Sequence, residues 1–179
     1  MTQAITIKDE DGNYIRVDAT SGAMATETQW QELLEEGKLF SASHIEQGIG
    51  GAGSLVLLIR VGTTPIHFGF RAEGTAEIDI HVHEGPTVSA NGTSVPAICR
   101  NRVALLTTGT LIFHSPTTSD LGLLLLDEIL ANAGVRELRD GFEFIFAANT
   151  DYIIELDNLS GGQADAAVVV DWFEDPSLG

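Results

Sequence analysis

The sequence predicts an all-β protein: an antiparallel β-sandwich of jelly-roll type, with one short N-terminal helix. Three observations predict it. From Ser54 to Thr93 three strand-like segments follow one another, SLVLLIRVG, TPIHFGFRAEG and TAEIDIHVHEG, each closed by glycine or proline. Within them the apolar Ile66, Phe68 and Phe70 alternate with His67 and Arg71. In the next segment Ile78, Ile80 and Val82 alternate with Glu77, Asp79, His81 and His83. Period-two alternation marks a strand with one face in a core and one toward water. Segments of this kind, about nine in all, recur at short spacing with turn residues between them, which is the pattern of a sandwich or barrel.

Taken in order, residues 1–25 read as an extended N-terminal arm, 26–38 as a short helix and 39–179 as the sandwich. The arm scatters Ile5, Ile7, Tyr14, Ile15 and Val17 among polar residues. Thr28 and Gln31 have capping-box spacing. Trp30, Leu33 and Leu34 then form one apolar helical stripe that Gly37 ends. A strand is expected over Leu39–Ile45, and a flexible loop over Gly48–Gly53. The three segments from Ser54 should begin one antiparallel sheet. Val95–Arg102 reads as a connection, Val103–Thr107 and Thr110–His114 as a hairpin about Thr108-Gly109, and Leu121–Leu130 as a strongly apolar strand. Within that strand Leu124 and Leu126 should face away from Leu123 and Leu125, so one pair is a candidate contact surface. Ala131–Asp140 reads as a polar loop. Strands are then expected around Phe142, Phe144 and Phe146, around Tyr152, Ile154 and Leu156, and over Ala166–Glu174. The predicted core is Leu55, Leu57, Phe68, Phe70, Ile78, Ile80, Val82, Phe144, Ile154, Leu156 and Val170.

Charge narrows the function. Among 179 residues, 26 are acidic and 9 basic, a formal net charge of −17 at pH 7. Such a surface repels nucleic acid and anionic membranes, so neither is expected as a partner. Cys99 is the single cysteine, which precludes an intrachain disulfide. The start of the chain lacks the basic-then-apolar order of a signal peptide. The longest aliphatic run, Leu121–Leu126, is too short to cross a bilayer.

Motifs that carry chemistry are few. Leu159–Gln163 spells LSGGQ, the signature of ATP-binding-cassette domains, but it lies between two β segments and no GxxxxGK[ST] loop accompanies it. It reads as a turn after Asn158. His81 and His83 stand two apart on one strand face and can share a metal, as an HxH pair does in cupins, with His67 as the third ligand. Glu84 is immediately adjacent rather than a few residues downstream, the next histidine, His114, lacks the glycine and asparagine context of that pattern, and the alternation places both histidines on the solvent side. The expectation is therefore an exposed polar face, with no metal and no cofactor. No nucleophile motif is present, and the chain is not expected to be an enzyme.

The stretch EGPTVSANGTSVPAICRNR, residues 84–102, follows an amphipathic strand, and NTDYIIELDNLSGG…VVVDWFE follows a Phe-rich one. Together they resemble tailed-bacteriophage head decoration, or cement, proteins, over about Phe40–Glu174. The resemblance implies a jelly-roll-like sandwich that trimerises on the exterior of a capsid assembled in the host cytoplasm. Its partners would be the major capsid protein and further copies of itself. Ile5, Ile7, Tyr14, Ile15, Val17, Trp30, Leu33 and Leu34 would supply contacts. The alternatives are a phage tail or baseplate adhesion module and, further off, a cupin-like metal-binding enzyme.

Overall fold

A computed structural model of the chain describes residues 5–8, 14–17, 24–27, 33–131, 133–138 and 144–174. In the arm, β1 (Ile5–Lys8), β2 (Tyr14–Val17) and β3 (Met24–Glu27) pair as an antiparallel meander, with Ile5 opposite Val17 and Ile7 opposite Ile15. Of the predicted helix, Leu33–Glu35 form a single helical turn, and Trp30 lies outside the described residues. The turn stops as the sequence predicts. Gly37 takes φ +74°, its amide reaches the Leu34 carbonyl, and the Lys38 amide reaches that of Leu33, a Schellman closure.

The sandwich follows. Its first strands are β4 (Leu39–Ile49), β5 (Ser54–Arg60), β6 (Ile66–Gly74) and β7 (Ile78–Glu84). Short strands come next: β8 (Thr87–Ala90), β9 (Thr93–Val95), β10 (Ile98–Cys99), β11 (Leu111–His114) and β12 (Thr117–Asp120). The last are β13 (Leu123–Leu130), β14 (Gly134–Leu138), β15 (Phe144–Phe146), β16 (Asp151–Asn158) and β17 (Ala164–Glu174). One sheet has the order β10-β4-β17-β6-β14, with β15 continuing the lane of β14 along β6; the other has the order β13-β7-β16-β5-β11-β9. All their pairings are antiparallel.

The three strands from Ser54 therefore do not form one sheet. β5 and β7 lie in the second sheet and β6 in the first. Each has a full apolar face, and alternating between sheets lets all three bury theirs against the opposite layer. The predicted core is buried as expected, with Leu55, Leu57, Phe68, Phe70, Ile78, Ile80, Val82, Ile154, Leu156 and Val170 fully enclosed. Phe144 is half-buried against it, near the open end of β6. Trp172 lies between the layers and donates from Nε1 to Thr108 Oγ1 at 3.1 Å.

Other segments depart from expectation. Val103–Thr107 is not a hairpin strand. Asn101 Oδ1 accepts from the amides of Val103 and Ala104 and winds that stretch into a turn. The Glu174 carboxylate then holds Thr108 and the Gly109 amide. Ala131–Asp140 is not all loop, because β14 pairs with β6 through it. A β-bulge between Leu124 and Leu126 resets the alternation of β13. As a result Leu123 and Leu124 are both exposed, while Leu125 and Leu126 both pack on the core.

Two connections cross the outside of the second sheet. β8 joins β7 to β9 and β12 joins β11 to β13, so each must pass from one side of that sheet to the other, over β16 and β5. They pair with each other as they do so. Arg60, outward on β5, donates to Asn91 Oδ1 just after β8, which fixes the strap on this face. Leu58 and Ile153 point to the same side, away from the main core, and are fully buried there.

Candidate functional site

β7, β16 and β13 run side by side, and their register lines up ionisable residues on the outward face. Asp127 stands opposite His81, and His81 opposite Glu155. One row along, Asp79 stands opposite Asp157; one row the other way, His83 lies between Leu124 and Ile153. The row follows directly from the sequence alternation, since Ile78, Ile80 and Val82 turn inward and leave Asp79, His81 and His83 outside.

His81 sits in a cage of carboxylates. Its Nε2 is 3.4 Å from Asp79 and 3.5 Å from Asp127, and its Nδ1 is 3.4 Å from Asp157. The two imidazoles are 5.9 Å apart between ring centres. Donor atoms of His81, His83 and Glu155 all lie within 4.8 Å of one another, and those of Asp79, His81 and Asp127 do likewise. Burial, and then the neighbouring His81, pushes the His83 imidazole below its ordinary pKa. Burial, and then Asp157, pushes the Glu155 carboxyl up.

Two placements differ from the sequence reading. His83 is 8% exposed rather than on an open solvent face, and it stands in register with the fully buried Ile153 and Leu58. His67 does not join the pair: β6 is in the opposite sheet, and its ring stacks on Phe173 with centres 4.4 Å apart. Glu155 takes the place expected of His67. Alternation around Tyr152, Ile154 and Leu156 already put Glu155 outside. What the sequence could not supply was the pairing of β16 with β7.

Apolar surface gathers on two opposite rims of the sandwich. On the rim of β13 and β14, Leu123, Leu124, Ile129 and Val135 are exposed; on the rim of β10, β9 and β11, so are Ile98, Val103, Leu105, Leu106 and Leu111. Leu34 is exposed and Leu33 half-buried; the side chains of Ile5, Ile7, Tyr14, Ile15 and Val17 lie outside the described part. An open depression is lined by Arg60, Gly85, Pro86, Asn149 and Asp151. Its one arginine is taken by Asp151 in a two-pronged pair at 2.9 and 2.7 Å, which leaves little charge to draw an anion.

No family model matches the chain, and neither does any curated protein sequence. Similar solved structures include infectious bursal virus derived T=1 particles (12% identity, covering 96% of this chain and 49% of that one, TM-score 0.18). They also include the T13 particle of infectious bursal disease virus (11% identity, 93% and 47% covered, TM-score 0.19). The chain spans about half the length of each, and likenesses at these TM-scores carry no argument.

Proposed function

We propose that this chain is a non-enzymatic structural protein of a virion, a head decoration protein that binds the outside of a bacteriophage capsid and stabilises it. The observation that carries the reading is the strand order. Read as eight lanes, with β14 and β15 as one, the sheets are β4-β17-β6-β14 and β5-β16-β7-β13. The chain fills them alternately at first and returns between them at the end. We read this as a jelly roll, an architecture found in viral capsid proteins, lectins and cupins. The resemblance at residues 84–102 and in the late Asn149–Glu174 stretch favours the first of these.

Other features support the same choice. The space between the sheets is filled by Trp172, Phe68, Phe70, Phe146 and aliphatic residues, and the histidine pair lies outside it. A cupin-like enzyme would need that interior. Among the described residues the exposed large hydrophobics are all aliphatic, whereas sugar-binding surfaces rely on exposed aromatic rings. Apolar rims of this kind fit protein contact instead.

Sedimentation with phage particles stripped of the protein tests the reading. Added chain is expected to bind saturably, to pellet with the heads and to raise the temperature at which they release DNA. Failure to co-sediment with particles of the encoding phage overturns it.

A further inference from the structure

The outward face of β7 and β16 has the makings of a metal site. His81 and His83 offer two imidazoles on one strand face, and Glu155 brings a carboxylate from the next strand, all three donor atoms lying within 4.8 Å of each other. Bonds of about 2.0–2.2 Å to a tetrahedral ion place its ligand atoms roughly 3.4 Å apart, so small side-chain rotations close the site.

A second, independent observation points the same way. His83 is more than nine-tenths buried, and neither of its ring nitrogens has a hydrogen-bond partner among the described residues. Buried imidazoles are ordinarily satisfied, because an orphaned polar group costs on the order of 1–3 kcal/mol. A bound cation would satisfy one nitrogen outright. The surroundings are also prepared for positive charge. The ion pairs that Asp79, Asp127 and Asp157 make among the described residues all go to His81. Whichever His81 nitrogen took the ion, the other would keep a carboxylate within about 3.5 Å, the arrangement that orients metal-bound histidines.

We propose that His81, His83 and Glu155 bind one divalent transition-metal ion of the zinc class. Two imidazoles and a carboxylate select such ions over calcium or magnesium, which take all-oxygen sites. The outer carboxylate on His81 comes from Asp79 and Asp127 when Nδ1 takes the ion, and from Asp157 when Nε2 does. The ion ties β7 to β16, so its role is to stiffen this sheet rather than to catalyse.

The test uses the full chain, purified without a histidine tag, stripped with chelator and titrated with Zn²⁺ by calorimetry, with melting followed in parallel. One equivalent is expected to bind and to raise the melting temperature, while Mg²⁺ at the same concentration does neither. His81→Ala and Glu155→Gln should each weaken binding more than tenfold, and His67→Ala, on the other sheet, should leave it unchanged. His83→Asn serves as a second variant if His81→Ala is poorly folded. Absence of saturable binding to folded wild-type protein overturns the proposal. So does equal binding by folded Glu155→Gln and His83→Asn, which would mean that zinc is held elsewhere on the acidic surface.

Discussion

Asn158 is fully buried and its side chain organises two glycine-rich turns at once. Its Nδ2 donates to the carbonyls of Ile49, Gly50 and Gly162, and its Oδ1 accepts from the amide and hydroxyl of Ser160. The Gly50–Gly53 turn and the LSGGQ segment thereby lean together, so closely that a Cβ on Gly51 would stand 2.9 Å from the Gly161 backbone. Asn158→Ala takes the side-chain donor from the Ile49 and Gly162 carbonyls, while that of Gly50 keeps the Gly53 amide, and chemical denaturation should show a loss on the order of 3 kcal/mol. A second residue-scale prediction concerns pH. His44 and His114 stack with ring centres 4.0 Å apart, joining β4 of one sheet to β11 of the other. Burial, followed by His114, holds the His44 pKa below its ordinary value, with Glu46 pulling weakly the other way. The unfolded chain therefore takes up the proton first, and stability is lost as pH falls below about 6.5. The depressed His83 acts in the same direction. Melting temperature should drop by several degrees between pH 7.5 and 5.5 in wild-type protein, and by clearly less in His44→Gln. An equal drop in the two proteins would remove His44 from the account.

The strap gives the element-scale prediction. Gly92 and Gly122 close its two crossings, each at positive φ, +84° and +82°. A Cβ on Gly92 would stand 2.1 Å from the His114 carbonyl oxygen, and one on Gly122 would stand 2.1 Å from that of Glu84. Backbone is on the other side of both contacts and cannot yield. Alanine at either position should cost on the order of 3 kcal/mol or more, measured by denaturant melts, while alanine at the open Gly85 or Gly161 costs less. This is also where legibility in the sequence ended. Strands such as β7 and β17 announce themselves, because each must alternate to have one face in a core. The strap does not, since Thr87–Ala90 and Thr117–Asp120 are short, polar and mostly exposed, and only the crossing they make explains them. β14 was hidden for a similar reason: Gly134–Leu138 is polar by composition and becomes a strand through pairing with β6. The metal-site candidate was half legible. His81 and His83 share a face by simple alternation, but Glu155 joins them only through a pairing between distant strands.

At the scale of the molecule, the apolar rims matter most. They lie on opposite sides of the sandwich, so one copy can seat its β13–β14 rim on the β9–β10 rim of the next. Unlike surfaces meeting head to tail make a ring, as a trimer requires, where the rotation between copies closes, and a filament where it does not. Leu124→Asp on one rim and Leu106→Asp on the other should each abolish self-association in light scattering, whereas mixing the two variants restores a dimer through the one intact contact. A mixture that stays monomeric on the particle as well as in solution would count against the ring. The arm is expected to anchor the protein. Deleting residues 1–25 should leave the sandwich folded, because its two sheets pair without β1, β2 or β3. The apolar Ile5, Ile7, Tyr14, Ile15 and Val17 that the arm carries are costly to leave in water, which favours contact with the capsid or a neighbour. Tight binding by the truncated chain would refute that role. The most direct test of the virion reading is immunogold electron microscopy of density-purified particles of the encoding phage, probed for this chain. Label is expected at regular positions on the outer surface of the heads. Label confined to tails or baseplates, or none on the particles, would contradict it.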